Sequence, residues 1–460
     1  MSPRPPLSRA HRRPRGWRLA AAVTVAALGG VPLGPASAQE ADPWPMAGRD
    51  AAHSGTADGP APPYREAWTQ AIAFGGPVAG PAVSRDALVV VASRGVVALD
   101  PATGEPRWEM DRTEGPAGPP AVAGDLVVHA SGSGSSTSVV ARALEDGIEA
   151  WRAFVDADVP GGLVVADGLV YAATTSGEVV ALEADTGEER WRSDVGGRLQ
   201  ATPAVADGLV LVAGEDRQTG VVTVFALDAA SGRQPQWRFA TPGPALPASA
   251  PASDGDRAFV ATSEGVLRAL DLEGGGQVWT ADMRAAVSER QVPAAASQLV
   301  VADRLHVYGL EPGDGEERWK FLLADLRVLP GGRRNTLSSS SPAVIGGVAL
   351  IGDTSGVFSA IDLDTGRRVW KRDLSPGPLG AVAVGVDLVI ATTLGRGGSV
   401  IGLEHDPEGV LLNEPSPTTV FPLRAILNFV IAALAVGAAA LGLSRLALRG
   451  TGPPAEEGGS

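Results

Sequence analysis

From Val78 onward the chain alternates short apolar runs with breaks rich in Gly, Asp and Thr. The stretch Gly177 to Arg192, GEVVALEADTGEERWR, shows the unit most clearly. Val179, Ala181 and Glu183 alternate with Val180, Leu182 and Ala184, the period of two that marks a β-strand with two differently placed faces. Asp185-Thr186-Gly187 then ends the strand. Gly187 tolerates positive φ, and the Asp and Thr oxygens can accept hydrogen bonds from the turn's own amides, so the chain is predicted to reverse into a second strand carrying Trp191. That is half of an antiparallel blade.

The unit recurs. Trp68, Trp108, Trp151, Trp191, Trp237, Trp279, Trp319 and Trp370 are spaced by 40, 43, 40, 46, 42, 40 and 51 residues, and only Trp17 and Trp44 fall outside the series. A period near forty with four strand-like runs is the signature of a propeller blade. In the first full repeat the runs are Val78–Ser84, Ala87–Ala92, Val96–Asp100 and Arg107–Met110, with the turn Pro101-Ala102-Thr103-Gly104 between the last two. Seven complete repeats run from Val78 to Trp370. An eighth begins at Gly377, with Ala381–Val384, Leu388–Thr392 and Ser399–Glu404, but has no tryptophan after it. The missing strand is available at the front as Glu66-Ala67-Trp68-Thr69. The predicted fold is therefore all-β, an eight-bladed β-propeller of four-stranded antiparallel blades closed by the N-terminal strand, so that the ring leaves no open sheet edge between its ends.

The forms Ala98 to Trp108, ALDPATGEPRW, and Ile361 to Trp370, IDLDTGRRVW, resemble the tryptophan-docking repeats of the PQQ-like (pyrroloquinoline quinone) eight-bladed propellers. The lead-in WPMAGRD from Trp44 to Asp50, with His53-Ser54-Gly55, is similar to the segment preceding the first blade in many of them. The resemblance covers roughly 42–404 and specifies fold more than function. It implies that the eight repeated tryptophans pack between blades. The family includes quinone-dependent alcohol and sugar dehydrogenases, the scaffold lipoprotein of the outer-membrane β-barrel assembly machinery, and non-catalytic surface proteins; this chain resembles the scaffold more than the dehydrogenases.

The two ends change the picture. Residues 1–38 read as a signal peptide, with an Arg-rich start, an apolar run from Leu19 to Leu28 and Ala36-Ser37-Ala38 as cleavage site. Arg12-Arg13 raises a twin-arginine route, against which Pro14 and Arg15 stand where that signal wants hydrophobic residues. Ala425 to Ser444 carries no charge over a length that matches a bilayer's hydrocarbon region. It is expected to form one C-terminal transmembrane helix, with Arg445 and Arg449 on the cytoplasmic side. The expected organisation is signal peptide 1–38, lead-in 39–65, propeller 66–404, Pro-rich tether 405–422, membrane helix 423–447 and cytoplasmic tail 448–460. The propeller then stands outside the cytoplasmic membrane, itself monomeric.

Charge and composition exclude several chemistries. The net charge is −14, and loss of Arg4, Arg9, Arg12, Arg13, Arg15 and Arg18 with the signal makes the remainder more acidic still. A surface of that sign repels phosphate backbones, so no nucleic-acid partner is expected. The absence of cysteine removes disulfides, zinc–thiolate sites, Fe–S clusters and cysteine nucleophiles. By the family resemblance a quinone dehydrogenase would need vicinal cysteines in many members, a Ca²⁺ site of carboxylate and amide oxygens, an aspartate base and an aromatic floor on the axis. Asparagine occurs only at Asn335, Asn413 and Asn428, and every tryptophan in the ring is already assigned to a packing position. A PQQ-dependent membrane dehydrogenase of alcohols or sugars stays as the alternative; the expectation is no enzyme, no cofactor and no metal. His129 and His306 lie in strand-like runs without partners at metal-ligand spacing. Asp362 and Asp364 open like a calcium loop, but no bidentate Glu follows. Tyr171 and Tyr308 lie within strand runs, where they offer little to a glycan.

What remains is where repeats differ. Segments crossing from the Trp strand of one blade to the inner strand of the next border one mouth of the central channel. Three such crossings carry Arg198 and Gln200; Arg284, Glu289, Arg290 and Gln291; and Arg333, Arg334 and Asn335. The last group falls in the insertion Phe321–Ser341 that stretches one spacing to 51. Guanidinium forks gathered there suit the carboxylates or phosphates of an anionic ligand or an envelope protein; the plainer reading is a solvated set of loops with local ion pairs. The function expected is a non-catalytic binding or assembly scaffold.

Overall fold

The computed structural model describes residues 44–72, 74, 80–92, 94–111, 118–233, 235–244, 249–283, 293–295, 297–303, 305–323, 340–375, 377–394 and 397–415. These residues form eight sheets whose blade strands pair antiparallel, the predicted eight blades. Blade three shows the common plan: Val164–Ala166, Leu169–Ala173, Glu178–Glu183 and Glu189–Asp194 pair in chain order from the channel outward. The eighth blade is composite. Leu379–Val384, Val389–Thr393 and Ser399–His405 supply three strands, and Tyr64–Ala71 adds the outer one, with Tyr64 opposite His405 and Ala71 opposite Ser399. Among the described residues no helix is long and apolar enough to cross a membrane; the expected helix 423–447 and the expected signal 1–38 lie outside them.

The alternation read in Gly177 to Arg192 takes a different meaning in the ring. Val179, Val180, Ala181 and Leu182 are all buried, because a middle strand is covered by a neighbouring blade on each side. Small residues fill these double-sided interfaces. The outer strand of blade three has one buried position: in Glu189–Asp194, Trp191 is buried between two exposed residues and a half-buried one. A β-bulge sits just before the tryptophan: Ala181 pairs Trp191 and Leu182 pairs Glu189, leaving Arg190 extra. The same slip precedes Trp68, Trp108, Trp151, Trp279, Trp319 and Trp370. A bulge sharpens the local twist and re-aims a side chain, here toward the adjacent blade.

At that interface the indole meets a turn glycine. A Cβ on Gly187 (φ +72°) would lie 2.4 Å from Trp151, and the turn glycines of the first seven blades each crowd the tryptophan of the blade before them in the same way. The indole N–H donates across the junction to a backbone carbonyl: Trp108 to Leu144, Trp151 to Ala184, Trp191 to Ala229, Trp237 to Leu272 and Trp279 to Pro312, at 2.8–2.9 Å. Two tryptophans depart. Where the residue opposite is glycine, at Gly309 and Gly402 in place of the usual alanine, the ring drops onto its own blade. Trp319 then reaches Leu363 O only through Gln298, whose Oε1 accepts the indole N–H at 2.9 Å and whose Nε2 donates to the carbonyl at 2.9 Å. Trp68 Nε1 is buried without a hydrogen-bond partner among the described residues. The sewn junction also has its own solution. Trp370 meets no turn glycine but the edge of Tyr64, with centroids 5.1 Å apart and planes at 89°, and Tyr64 donates its hydroxyl to Pro60 O at 2.8 Å.

The turns use their oxygens as anticipated, with one change of residue. Thr186 Oγ1 accepts from Glu188 N, and Asp146 and Asp314 do the same at equivalent positions. The carboxylate that gathers the turn amides is the one ending the preceding strand: Asp362, not Asp364, accepts from Thr365 N and Oγ1, as Asp100 does from Ala102 and Thr103. The start of a calcium loop seen in sequence is thus a self-capped turn.

Candidate functional site at the mouths of the channel

The two faces of the ring are distinguished by their connections. Ala184 N donates to Gly168 O, which puts the strand-one to strand-two turn beside the Asp-Thr-Gly turn; the crossings lie on the opposite face. On the crossing face, Gly197–Leu199 is itself a short strand, paired to Gly214–Asp216 with Arg198 opposite Glu215. Arg198 is exposed, Gln200 is half-buried, and Leu199 between them is fully buried in the core of blades two to four. Pairing of alternate residues inward thus presents the arginine outward. Neighbouring crossings stack through glycine: a Cβ on Gly118 would strike Gly161 O at 2.0 Å, and one on Gly161 would strike Thr202 N at 2.5 Å. Thr202 Oγ1 also accepts from Gly162 N at 2.8 Å. Arg284, Glu289, Arg290, Gln291, Arg333, Arg334 and Asn335 lie outside the described residues.

The opposite mouth holds something the sequence pattern did not indicate. The lead-in follows the inner rim and visits the blades in ring order. Trp44 exchanges both backbone hydrogen bonds with Val83 of blade one, at 3.1 and 2.7 Å, and Pro45 O accepts from Val122 N of blade two at 2.8 Å. Met46 is buried in the core cluster of blades two to four. Ala51 O accepts from Val205 N of blade four at 2.6 Å, Ala52 O from Ser253 N of blade five at 2.8 Å, and Gly55 O from Val344 N of blade seven at 2.8 Å. Gly55 lies so close to blade six that a Cβ would come within 2.6 Å of Ala294 Cβ. Thr56–Ala57 then runs parallel to Val344 and Ile345, and Gly59 abuts Val384 of blade eight. These contacts fall beside the strand-one to strand-two turns, so the lead-in occupies the turn-face mouth.

Polar side chains shape this segment. Asp50 accepts from Ser54 N at 2.8 Å, takes the Ser54 hydroxyl on its other oxygen, and pairs with Arg49 at 3.2 Å. His53, with φ +58°, is completely buried; its Nδ1 lies 2.7 Å from Pro251 O, which assigns the proton to that nitrogen. Burial pushes the His53 pKa down, against smaller opposing effects of that bond and of Asp50. Its Nε2 is buried with no partner among the described residues. His129 differs, since Arg142 donates to its Nε2 at 3.3 Å, whereas His306 Nδ1 has no hydrogen-bond partner among the described residues and stands 3.5 Å from the buried Asp303 carboxylate. Tyr171 and Tyr308 are buried at 1 % exposure and cannot offer a stacking surface.

Two more features adjoin blades seven and eight. Part of the Pro-rich tether, Leu412 to Glu414, adds to the outer edge of blade seven. Arg368 and Glu414 exchange backbone hydrogen bonds at 3.0 and 3.1 Å, and Leu412 N donates to Val369 O at 2.6 Å. Glu414 accepts from Arg368 Nε at 3.0 Å and from Lys371 at 3.1 Å, while Arg367 reaches Asn413 at 3.0 Å. The Arg368 guanidinium, helped by Lys371, holds the Glu414 carboxyl below its usual pKa. Nearby, Asp58, Gly59, Pro60, Val386, Asp387, Glu404 and His405 line an open pocket of about 520 Å³. Its Glu404 is paired to Arg65 at 2.8 Å and its His405 to Ala61 O at 2.8 Å.

Among the described residues no group of three or more His, Asp or Glu is placed to hold a metal ion. They do not fit a quinone cofactor either. The indoles that could floor such a site are at blade junctions, seven of them 6–8 % exposed, and Trp44 is buried at 3 % exposure with its backbone paired to blade one.

The family model described as outer membrane protein assembly factor BamB matches residues 62–160, 135–253 and 220–405, three overlapping stretches that together cover the ring. The chain belongs to that family. Among curated BamB-like relatives, the outer membrane protein assembly factor BamB of Yersinia pestis is 29% identical over 157 residues, 30% of this chain and 37% of that protein. The tetrathionate hydrolase of Acidithiobacillus ferrooxidans is 27% identical over 180 residues, 36% of this chain and 34% of the relative. The chain thus spans about a third of the length of these relatives. In solved structures, BamB from Moraxella catarrhalis superposes with a TM-score of 0.58 at 17% identity, over 76% of this chain and 99% of that one. A quinohemoprotein alcohol dehydrogenase from Pseudomonas putida HK5 gives 0.60 at 13% identity, over 82% of each. At such identities the likeness is one of fold.

Proposed function

We propose that the protein is a membrane-anchored, extracytoplasmic BamB-like propeller that acts as a non-catalytic scaffold, gripping an anionic segment of an envelope protein at its crossing-face mouth. The observation that carries the reading is the division of labour in the ring. Repeated residues are consumed by packing, the turn-face mouth is filled by the chain's own lead-in, and the crossing face presents Arg198 outward from a rigid paired strand. Family membership supports a scaffold, since a member is described as an assembly factor. The apolar run 425–444 supplies the anchor and residues 1–38 the export signal. Arg284, Arg290, Arg333 and Arg334, with Gln291 and Asn335, join Arg198 and Gln200 in this proposal as the grip.

The test is capture in the membrane. A photo-crosslinker at Gln200 in the full chain is expected to trap a discrete envelope partner, and Arg198→Glu with Arg333→Glu and Arg334→Glu is expected to abolish the product. Unchanged trapping refutes the grip. The chain's lack of cysteine makes Ile148→Cys, at a 63 % exposed position, a unique reporter of sidedness. A membrane-impermeant maleimide should label it from outside; labelling only after lysis refutes the topology. Addition of PQQ and Ca²⁺ to purified protein should leave its near-ultraviolet spectrum unchanged; uptake would favour a dehydrogenase.

A further inference from the structure

We propose that the turn-face mouth of the channel is a peptide-binding site and that residues 44–59 are its ligand, a separable segment recognised by the ring. The innermost strand of a propeller blade has one edge unpaired, with amides turned toward the axis, and open strand edges bind extended backbone. Here Val83, Val122, Val205, Ser253 and Val344 each donate such an amide to the lead-in. Trp44 returns one bond by donating to Val83 O, and Thr56–Ala57 continues as a parallel addition to blade seven. One chain therefore satisfies edges on five different blades.

The site is selective for small residues. Ala51 and Ala52 bring their carbonyls to 2.6 and 2.8 Å from the rim, and Gly55 and Gly59 occupy places where any Cβ would come within 2.6 Å of Ala294 and Val384. Gly55 also has φ +62°. The ligand class is an extended, Gly- and Ala-rich peptide with an anchoring aromatic at its start, and His53 adds one side-chain contact to Pro251 O.

Separability follows from how the ring is closed. Tyr64–Ala71 seals blade eight on its outer edge, far from the inner edges that hold the lead-in. Closure and plugging use different residues on different edges, so the plug can leave while the ring stays sewn. The mouth is self-occupied, which directs any outside partner to the other face.

Hydrogen exchange on the unaltered full chain gives the first readout. The amides of Val83, Val122, Val205, Ser253 and Val344 are expected to be protected by about 100-fold or more over an open strand edge and to open together. They should do so ahead of mid-blade amides such as Val180. Exchange at open-edge rates overturns the site, and exchange only with global unfolding overturns separability. The second readout uses a protease site inserted between Gly59 and Pro60. After cleavage, residues 44–59 should remain with the ring on gel filtration, and a fluorescent synthetic peptide of the same sequence should exchange in. Immediate loss of the clipped segment overturns the proposal, as does failure of the peptide to enter. If the insertion prevents folding, exchange in the unaltered chain decides alone.

Discussion

Replacing Gly187 with alanine tests whether the indole and the turn glycine act as one unit. Two costs are separable in the structure. Holding a non-glycine residue at φ +72° costs about 1–2 kcal/mol. The new methyl would also lie 2.4 Å from the Trp151 ring, and overpacking of that kind costs about 1–3 kcal/mol more. Gly208 is the control: its φ is +73°, yet nothing lies within 4 Å of its Cβ position. Gly208→Ala should therefore lose only the backbone term, about 1–2 kcal/mol, against about 2–5 kcal/mol for Gly187→Ala. Trp151→Ala alone should cost about 3–5 kcal/mol. In that background the clash is gone, so Gly187→Ala should fall to the cost of the control, a coupling of about 1–3 kcal/mol. The assay is the urea midpoint of each variant, compared at unchanged slope. Equal shifts for Gly187→Ala and Gly208→Ala in the native background, or an additive cycle, would refute the reasoning.

Three further outcomes are expected. His53 is kept neutral by burial, while in the unfolded chain it takes a proton near its ordinary pKa of about 6.5; stability should therefore hold above that pH and fall as pH drops below it. His53→Asn should flatten this part of the melting-temperature profile, and parallel profiles for variant and parent would exclude the assignment. Gln298→Leu leaves the buried Trp319 N–H and the Leu363 carbonyl without their relay, at about 1–3 kcal/mol for each stranded group, read by denaturant midpoint. The lowered Glu414 pKa means that the strap on blade seven is firm above the usual glutamate pKa and weakens as pH falls through the depressed one. Arg368→Ala should loosen it at neutral pH, seen as faster cleavage after Glu408 by an acidic-residue protease; an unchanged rate would show that backbone pairing alone holds it.

The ring was legible because its signals repeat. Eight tryptophans at near-constant spacing identify blades whatever each local run prefers, and the count alone assigned Glu66-Ala67-Trp68-Thr69, which lies within the observed strand Tyr64–Ala71, to the eighth blade. The bulge before seven of the eight ring tryptophans was not legible: Arg190 looks like any exposed strand residue, and only pairing shows that it is surplus. Gln298 sits 21 positions from the indole it serves and marks no motif. The substitution of glycine for alanine at Gly309 and Gly402 was visible, but its effect on the ring's tilt required the cross-strand partner. The lead-in escaped for another reason. Its recognition runs through main-chain carbonyls, which every residue possesses, so WPMAGRD and His53-Ser54-Gly55 marked it as a lead-in without showing where it binds. Of the predicted grip, Arg198 and Gln200 fall where the crossings were expected, and the remaining members stay within the proposal.

Among the described residues, blade seven is the one sheet that receives a segment from both directions, Thr56–Ala57 on its inner edge and Leu412 to Glu414 on its outer edge. The mechanical consequence concerns the seam of the ring. Residues 399–405 and 64–71 are joined by a ladder that ends at Tyr64 with His405 and one further bond from Asp406 N to Pro63 O, and a load applied directly there would peel it rung by rung. The Glu414 clamp intercepts that load. Tension arriving from residues beyond it passes into Arg368 and Lys371 and spreads through the breadth of blade seven, while the segment between His405 and Leu412 stays unloaded. The clamp is a cable grip: it lets the ring be held by its tail without being unzipped by it.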